Sequence, residues 1–552
     1  MKKIVILLLT GIFYITGSGQ QKTNTISPGN PGLSRPKLIV GIVIDQMRWD
    51  YLYKYYDRYS DGGFKRLLNE GFSCENTMIN YLPSVTAVGH TAIFTGSVPS
   101  ISGIAENYWI EPISGKESYC TDDSTVQGVG AGPNTGKMSP RNLLVTTVTD
   151  ELRMATNFQS KVVGVSLKDR ASILPAGHTA NAAFWFDDGT GNFITSTYYM
   201  QTLPDWVVEF NKSHPVEKLV SKDWTTVYPI QTYGTSDSDN QEYEGLLNGE
   251  KSSVFPHYVA EIYKKDRGSF RFTPFGNTIT LDFAKQAIEG YHLGEDKTTD
   301  FLTINCASTD YIGHMFGPNS IEIEDTYLRL DQDLAKFFTY LDRKIGRGQY
   351  TVFLSADHGV AHTIGYMQSH KLPASLLNAR PLTDSLNKIL YGQFGVKGLI
   401  RSEISDQVDF NMTIIRSQHL DFDRIKTLTI DFLQQQPGVA YVVDVNRINE
   451  TPIPQPLKTM LINGYNFKRS SPVRIILDPG WGEGEKIGRG TGHGSLRPYD
   501  THIPLLFMGW GIHHGISRAQ VNITDIAPTI STLLHIQMPN GCIGHCLEDV
   551  LK

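Results

Sequence analysis

Short, continuous apolar runs stand out from long polar stretches along this chain. Residues 38–44 read LIVGIVI, and 161–166, 301–307, 350–355 and 503–508 have the same character. Runs of this length, β-branched and without alternation, are what a strand buried on both faces of a parallel sheet requires. Between two of them a helical period takes over. Leu330, Leu334, Phe337 or Phe338, Leu341 and Ile345 fall on one face, and Gly346 ends the pattern. Strand, helix, strand is the crossover unit of a parallel sheet. Residues 525–536 predict a closing helix. The fold class is therefore α/β, a mostly parallel sheet with helices on both faces.

Two regions interrupt the pattern. Residues 171–271 are rich in Trp, Tyr, Gly and Asp without a sustained period, which predicts an aromatic-rich insertion. Residues 371–481 carry their own short alternation, with an amphipathic helix at 423–436 and a strand at 439–445. They predict a small α+β cap inserted into the main domain. A chain of 552 residues is too long for one simple core. The expected order is a catalytic α/β core over 37–370, the cap over 371–481, and completion of the core over 482–552.

The N-terminus changes the picture. Lys2 and Lys3 precede the apolar run 4–9 and a small-residue stretch at 16–19, the order of a secretory signal peptide over 1–19. Residues 20–36 are polar with Pro and Gly and predict an exposed lead-in. The apolar run is too short for a permanent membrane span, and no Cys near the cleavage point suggests lipid anchoring. Without Lys2 and Lys3 the formal charge moves from -6 to -8. Such a surface does not attract nucleic acid, and affinity for an anionic substrate has to come from local cations. Export permits disulfides. Of the five cysteines, Cys542 and Cys546 suggest one pair, Cys74 and Cys120 another, and Cys306 a packed free thiol.

The chemistry lies at the ends of the apolar runs. Asp45 closes the first, Asp310 and His314 follow FLTINCA, Asp357 and His358 follow TVFLSA, and His493 lies in GTGHGS. Any one of these could be a turn or cap residue. Three Asp and three His together can hold two divalent metals with three protein ligands each and an open position on both. Residues just past strand ends line the crevice where open α/β sheets bind ligands. His and Asp without thiolate suit zinc, and manganese and cobalt remain open. After Pro83, small and hydroxyl residues lead into an apolar helix, whose N-terminus favours an anion. Ser84, Thr86 and Thr91 are the candidate nucleophiles.

The motifs V-I-D-Q at Asp45, P-S-V-T-x-x-G-H around Thr86, S-T-D-x-x-G-H at Asp310 and His314, A-D-H-G at Asp357 and His358, and T-G-H-G-S at His493 occur in that order. Together they resemble the alkaline phosphatase superfamily. The likeness is closest to its Thr-nucleophile branch, the phosphodiesterases/nucleotide pyrophosphatases and the phosphate-irrepressible alkaline phosphatases. The resemblance implies an alkaline-phosphatase-like fold and two Zn²⁺ per chain. It implies Thr86 as the nucleophile, sharing one metal with Asp45, Asp357 and His358, while Asp310, His314 and His493 hold the other. A pair of metals roughly 4 Å apart suits in-line displacement.

The resemblance also assigns Asn107, in AENYW, and Lys168 and Arg170, in SLKDR, to the non-bridging oxygens of a phosphate. Diesterase relatives keep the Asn and lack the Lys/Arg pair. A monoester dianion carries more terminal charge than a diester, and Arg can clamp two oxygens at once. A periplasmic or secreted phosphate monoester hydrolase is therefore expected, acting on small-molecule phosphate esters. A phosphodiesterase/nucleotide pyrophosphatase and a catalytically dead secreted binding protein are the alternatives. A sulfatase would need C/S-x-P-x-R, which is absent around Thr86. The Ser-dependent phosphoglycerate mutases would carry no export signal.

Overall fold

The computed structural model describes residues 34–484 and 487–552. The expected signal peptide and most of the lead-in lie outside the described residues. Strands β1 (Leu38–Ile44), β2 (Phe72–Met78), β3 (Val162–Ser166), β4 (Ala182–Asp187), β5 (Asn192–Ser196), β6 (Asp300–Cys306), β7 (Tyr350–Ser355), β8 (Leu505–Gly509) and β9 (Gly515–Asn522) belong to one large sheet. Their order in this eleven-stranded sheet is β2-β8-β7-β1-β6-β3-β4-β5, with β9 alongside β2 and two short strands, His502–Ile503 beside β2 and Gly128–Val129 beside β5, at the ends. From β7 through β4 all neighbours are parallel. On the two sides β8 runs antiparallel to β7 and β2, and β5 antiparallel to β4, while β9 runs parallel to β2. Every residue of β1, β6 and β7 is buried, as the continuous apolar runs predict.

The stretch 503–508 departs from expectation. His502–Ile503 pairs with β2, Pro504 intervenes, and β8 runs antiparallel to β7. Proline supplies no N–H to a ladder, so the strand breaks there. Burial on the sheet's interior side makes an antiparallel strand read like the parallel ones. Within 171–271, β4 and β5 lie in the large sheet and extend it past β3.

Six helices position the site or pack beside it: α1 (Thr86–Thr95), α2 (Asp169–Ala176), α3 (Phe275–Tyr291), α4 (Ser308–Phe316), α5 (Ile321–Leu341) and α6 (Ile526–Leu534). The period read at 330–345 covers the later part of α5 and the π-helical turn Asp342–Gly346 that follows it, and α5 starts earlier, capped by the Ser320 side chain. Its first turns hide their pattern because buried Glu322, Glu324 and Asp325 pair with His257, Arg58 and Arg329.

Residues within 371–481 have an apolar cluster of their own, which includes Leu386, Leu399, Ile425, Leu433 and Val442. A second cluster joins Met460, Leu461 and Ile476 to Leu82 and Leu496. Leu82 N–H also donates to Met460 O (3.2 Å), and a Cβ on Gly464 would lie 1.9 Å from Leu82 O. This segment thus grips the backbone just before Ser84 and Thr86.

All five cysteines are free thiols, against the two pairs read from the sequence. Cys74 sits in strand β2 and Cys120 beyond the Glu117–Tyr119 strand, both packed among apolar side chains. Cys542 Sγ is turned to Gly544 O (3.9 Å) rather than to Cys546. No helix among the described residues is long and apolar enough to cross a membrane.

Candidate metal centre

Register brings the ligands together. Val43 pairs with Ser355 and Ile44 with Cys306, so three neighbouring parallel strands end at one level. Asp45 follows β1, Asp357 and His358 follow β7, and Asp310 and His314 lie in α4 after β6. His493 arrives from a distant loop. Two groups result: Asp45, Asp357 and His358, and Asp310, His314 and His493. Within each group the ligand atoms lie inside 4.8 Å of one another.

The first group is fully buried, yet Asp45 Oδ1, Asp357 Oδ2 and His358 Nε2 have no hydrogen-bond partner among the described residues. Buried polar atoms of a folded protein are nearly always satisfied. Three lone pairs facing one point fit a divalent cation. The histidines agree. His358 Nδ1 donates to Gly359 O (3.0 Å), His314 Nδ1 to Thr491 O (2.8 Å) and His493 Nδ1 to Ser84 O (2.8 Å). Each bond fixes the proton on Nδ1 and leaves the Nε2 lone pair free to bind a cation. The donor set, three carboxylates and three imidazoles without thiolate, suits zinc.

Lys168 fills the space between the groups. Its buried Nζ lies 2.6 Å from Asp310 Oδ2, 3.0 Å from Asp45 Oδ2 and 3.4 Å from Thr86 Oγ1. The carboxyls respond differently. Burial, then Asp357, push Asp45 well above the usual carboxylate range. Burial also works against a charged Asp310, but Lys168 and His314 overcome it and hold Asp310 well below that range. Burial, with His358 and His314 adding repulsion, keeps His493 well below the ordinary imidazole value, in the neutral form that a cation could bind.

Thr86 is the first residue of α1 and is buried beside Lys168. The other candidate hydroxyls are engaged elsewhere. Ser84 Oγ donates to Ser495 O (2.9 Å) and Thr91 Oγ1 to Ala87 O (2.7 Å). Asn107 Oδ1 accepts Ala87 N–H at 2.9 Å, which leaves its amide N–H₂ as a donor beside Thr86. Arg170 lies in α2, two residues past Lys168, and its Nη1 donates to Tyr119 Oη (3.1 Å). Asp169, between them, accepts from the same Tyr119 Oη and from Thr121 Oγ1. A cavity of about 580 Å³ opens beside the centre, lined by Val85, Glu106 and His493 and, from 371–481, by Ile476 and Trp481.

Three positioning residues carry no role in the sequence reading. Gln46 stands at φ 65° and links the groups, its N–H donating to Asp357 Oδ1 (3.1 Å) and its Nε2 to Asp310 Oδ1 (2.7 Å). A non-glycine residue in that region is uncommon and clusters at functional sites. Asn305 donates to Asp45 Oδ2 (3.2 Å) and accepts from Ser166 Oγ (2.8 Å), the hydroxyl that also receives Lys168 N–H (2.8 Å). His90 lies within reach of Asp357. Gln46 and His90 stand inside the V-I-D-Q and P-S-V-T-x-x-G-H motifs, which was the available signal. Asn305 is one polar residue in an apolar run.

The sheet, the two groups of three candidate ligands and the helix-borne hydroxyl fit a member of the alkaline phosphatase superfamily, and the comparisons with known proteins place the chain there. The chain belongs to the type I phosphodiesterase / nucleotide pyrophosphatase family, whose model matches residues 39–496. It is 52% identical to alkaline phosphatase PafA of Elizabethkingia meningoseptica over 98% of both chains. It is 50% identical to alkaline phosphatase PhoV of Synechococcus elongatus over the full length of both. A protein named calcium-transporting ATPase from Myroides odoratus is 51% identical over 94% of this chain and 95% of its own. The crystal structure of wild-type PafA superposes with a TM-score of 0.92 at 53% identity, covering 94% of this chain and all of that one. A second PafA structure carries substitutions at one threonine, one asparagine, one lysine and one arginine (TM-score 0.91, 52% identity, covering 94% of this chain and all of that one).

Proposed function

We propose that this chain is an alkaline phosphatase, a phosphate monoester hydrolase whose phosphoryl group passes through Thr86 at a two-zinc centre. Half-identity to two alkaline phosphatases along the whole chain supports the activity. The observation that carries the mechanism is the Thr86 hydroxyl at the start of α1, 3.4 Å from the Lys168 Nζ that also contacts Asp45 and Asp310, one carboxylate of each ligand group. Bound zinc would lower the pKa of the hydroxyl and neutralise the departing oxygen.

Thr86 Oγ1 attacks phosphorus, the bond to the leaving oxygen breaks, and the alcohol departs. Water then cleaves the phosphoryl–Thr86 bond and releases phosphate. Asn107, Lys168 and Arg170 hold the non-bridging oxygens and orient the ester for in-line attack. Those four residue types are the ones substituted in the PafA variant. Asp45, Asp357 and His358 would hold one zinc and Asp310, His314 and His493 the other.

The substrates are small phosphate monoesters, and residues of 371–481 line the cavity that opens beside the centre. The basic and apolar N-terminus supports export to the periplasm or beyond. The direct test compares one aryl phosphate monoester with its diester in zinc-loaded protein. Monoester preference is expected, and a diester preference would restore the diesterase reading.

A further inference from the structure

Among the histidines around the centre, His90 has no place in either ligand group. It is fully buried in the first turns of α1, four residues after Thr86. Its Nδ1 lies 2.9 Å from Thr86 O and 3.3 Å from Asp357 Oδ2. Both neighbours are acceptors, so Nδ1 carries the proton. The opposite nitrogen, Nε2, has no hydrogen-bond partner among the described residues, and the ring belongs to neither candidate ligand group.

Asp357 is held asymmetrically. Its Oδ1 accepts two backbone N–H groups, from Gln46 and from His358, each at 3.1 Å. Its Oδ2 is the atom offered to the cation and has no hydrogen bond, with the His90 proton as its nearest donor. The neighbouring residue explains how the ring arrives there. A Cβ on Gly89 would lie 2.2 Å from Asp357 O and 2.6 Å from its Cβ, so α1 packs its backbone directly against Asp357. No larger residue permits that approach.

We propose that Gly89 and His90 couple the nucleophile's helix to a metal ligand, with His90 as the positioning residue that sets Asp357 Oδ2 and, through the same proton, the carbonyl of Thr86. Glycine brings the backbones together and the imidazole N–H spans the remaining gap. The inference rests on the two-metal reading above and concerns the group of Asp45, Asp357 and His358. Hydrogen bonds to metal ligands from the surrounding shell typically govern affinity by about 10- to 100-fold. His90 belongs to that shell, touching neither substrate nor metal.

Asparagine places an N–H near the Nδ1 position of histidine, and glutamine places one near Nε2. The experiment therefore measures zinc stoichiometry and chelator competition in wild type, His90→Asn, His90→Gln and His90→Leu. Thermal melting of the chelated proteins is followed in parallel. His90→Leu and His90→Gln should weaken one of the two zinc sites by about 10- to 100-fold, while His90→Asn recovers most of the affinity. Melting of the chelated forms should move little between Asn and Gln. Should His90→Leu not fold, the Asn and Gln pair decides alone. A competition curve in His90→Gln equal to wild type, or Asn no better than Gln, would overturn the inference. Wild-type protein that binds no zinc would instead overturn the two-metal reading.

Discussion

The Lys168 ammonium lies 2.6 Å from Asp310 Oδ2, closer than its 3.0 Å approach to Asp45 Oδ2 in the opposite ligand group. One buried cation thus serves a carboxylate of each group, and it favours Asp310, whose other oxygen lies 3.1 Å from His314 Nε2. Asp45, facing Asp357, is left short of compensation. Without bound metal, Lys168 is the principal counter-charge in the centre.

This arrangement predicts that Lys168→Met destabilises the chelated protein more than the zinc-loaded one. Removing one partner of a buried pair costs about 3–5 kcal/mol where nothing else compensates the remaining charge. Thermal melting of both proteins, with and without chelator, reads the difference. Equal losses in the two states would show that the lysine acts apart from the metal groups.

Specificity gives a second expectation. Lys168 and Arg170 should favour monoesters because they meet oxygens that carry extra charge only in a monoester. Losing a charge-assisted contact made in the transition state costs about 2–4 kcal/mol. The Lys168→Ala/Arg170→Ala protein should therefore lose far more kcat/KM on an aryl monoester than on its diester. Matching losses on both substrates would assign the pair to holding the centre together.

The three hydroxyls near the start of α1 separate cleanly. Thr86→Ala should lower turnover by several orders of magnitude and retain its zinc. Ser84→Ala removes a bond to Ser495 O and Thr91→Ala a bond within α1, so each should cost about 1 kcal/mol of stability and little turnover. Steady-state rates of the three variants, with zinc content checked, test this. A larger loss in Ser84→Ala would move the nucleophile.

The legible parts of this protein are those where one physical demand acts alone. Strands β1, β6 and β7 are buried on both faces, so their sequences are apolar throughout and the carboxylates at their ends stand out. The grouping of ligands was not readable from spacing, because it depends on which strands are neighbours: Asp45 joins Asp357 across β1 and β7, while His493 comes from a loop far along the chain. The start of α5 was hidden because its buried face carries Glu322, Glu324 and Asp325, which pair with His257, with Arg58, and with Trp224 and Tyr233 from other segments. Residues at 182–187 read as part of an insertion, yet β4 pairs with β3 in the sheet. Trp and Tyr composition does not tell a sheet-extending strand from an irregular one. Lys168 and Arg170, two positions apart, point to different partners because α2 begins between them.

One of those hidden partners makes a prediction of its own. His257 is buried, with Nδ1 2.9 Å from Glu250 Oε1 and Nε2 3.2 Å from Glu322 Oε1. Burial lowers its proton affinity, but the two carboxylates outweigh this and raise it to about 9. Glu244 lies nearby, raised to about 8 by burial and then by Glu322, and Asp239 also acts on this cluster. The sign follows from the direction of each shift. A histidine raised above its unfolded value adds stability that is complete below about pH 6.5 and is lost as pH climbs through about 9. A raised carboxyl likewise favours the protonated fold, so Glu244 works in the same direction up to about pH 8. The protein should therefore lose stability between about pH 6.5 and 9, by an amount on the order of 3 kcal/mol from His257. Melting temperatures of zinc-saturated wild type should fall across that window. His257→Gln should melt lower at neutral pH and show a flatter decline, because the titrating group is gone. If its decline is as steep as that of wild type, the alkaline loss arises elsewhere in the molecule and the paired carboxylates do not hold a proton on His257.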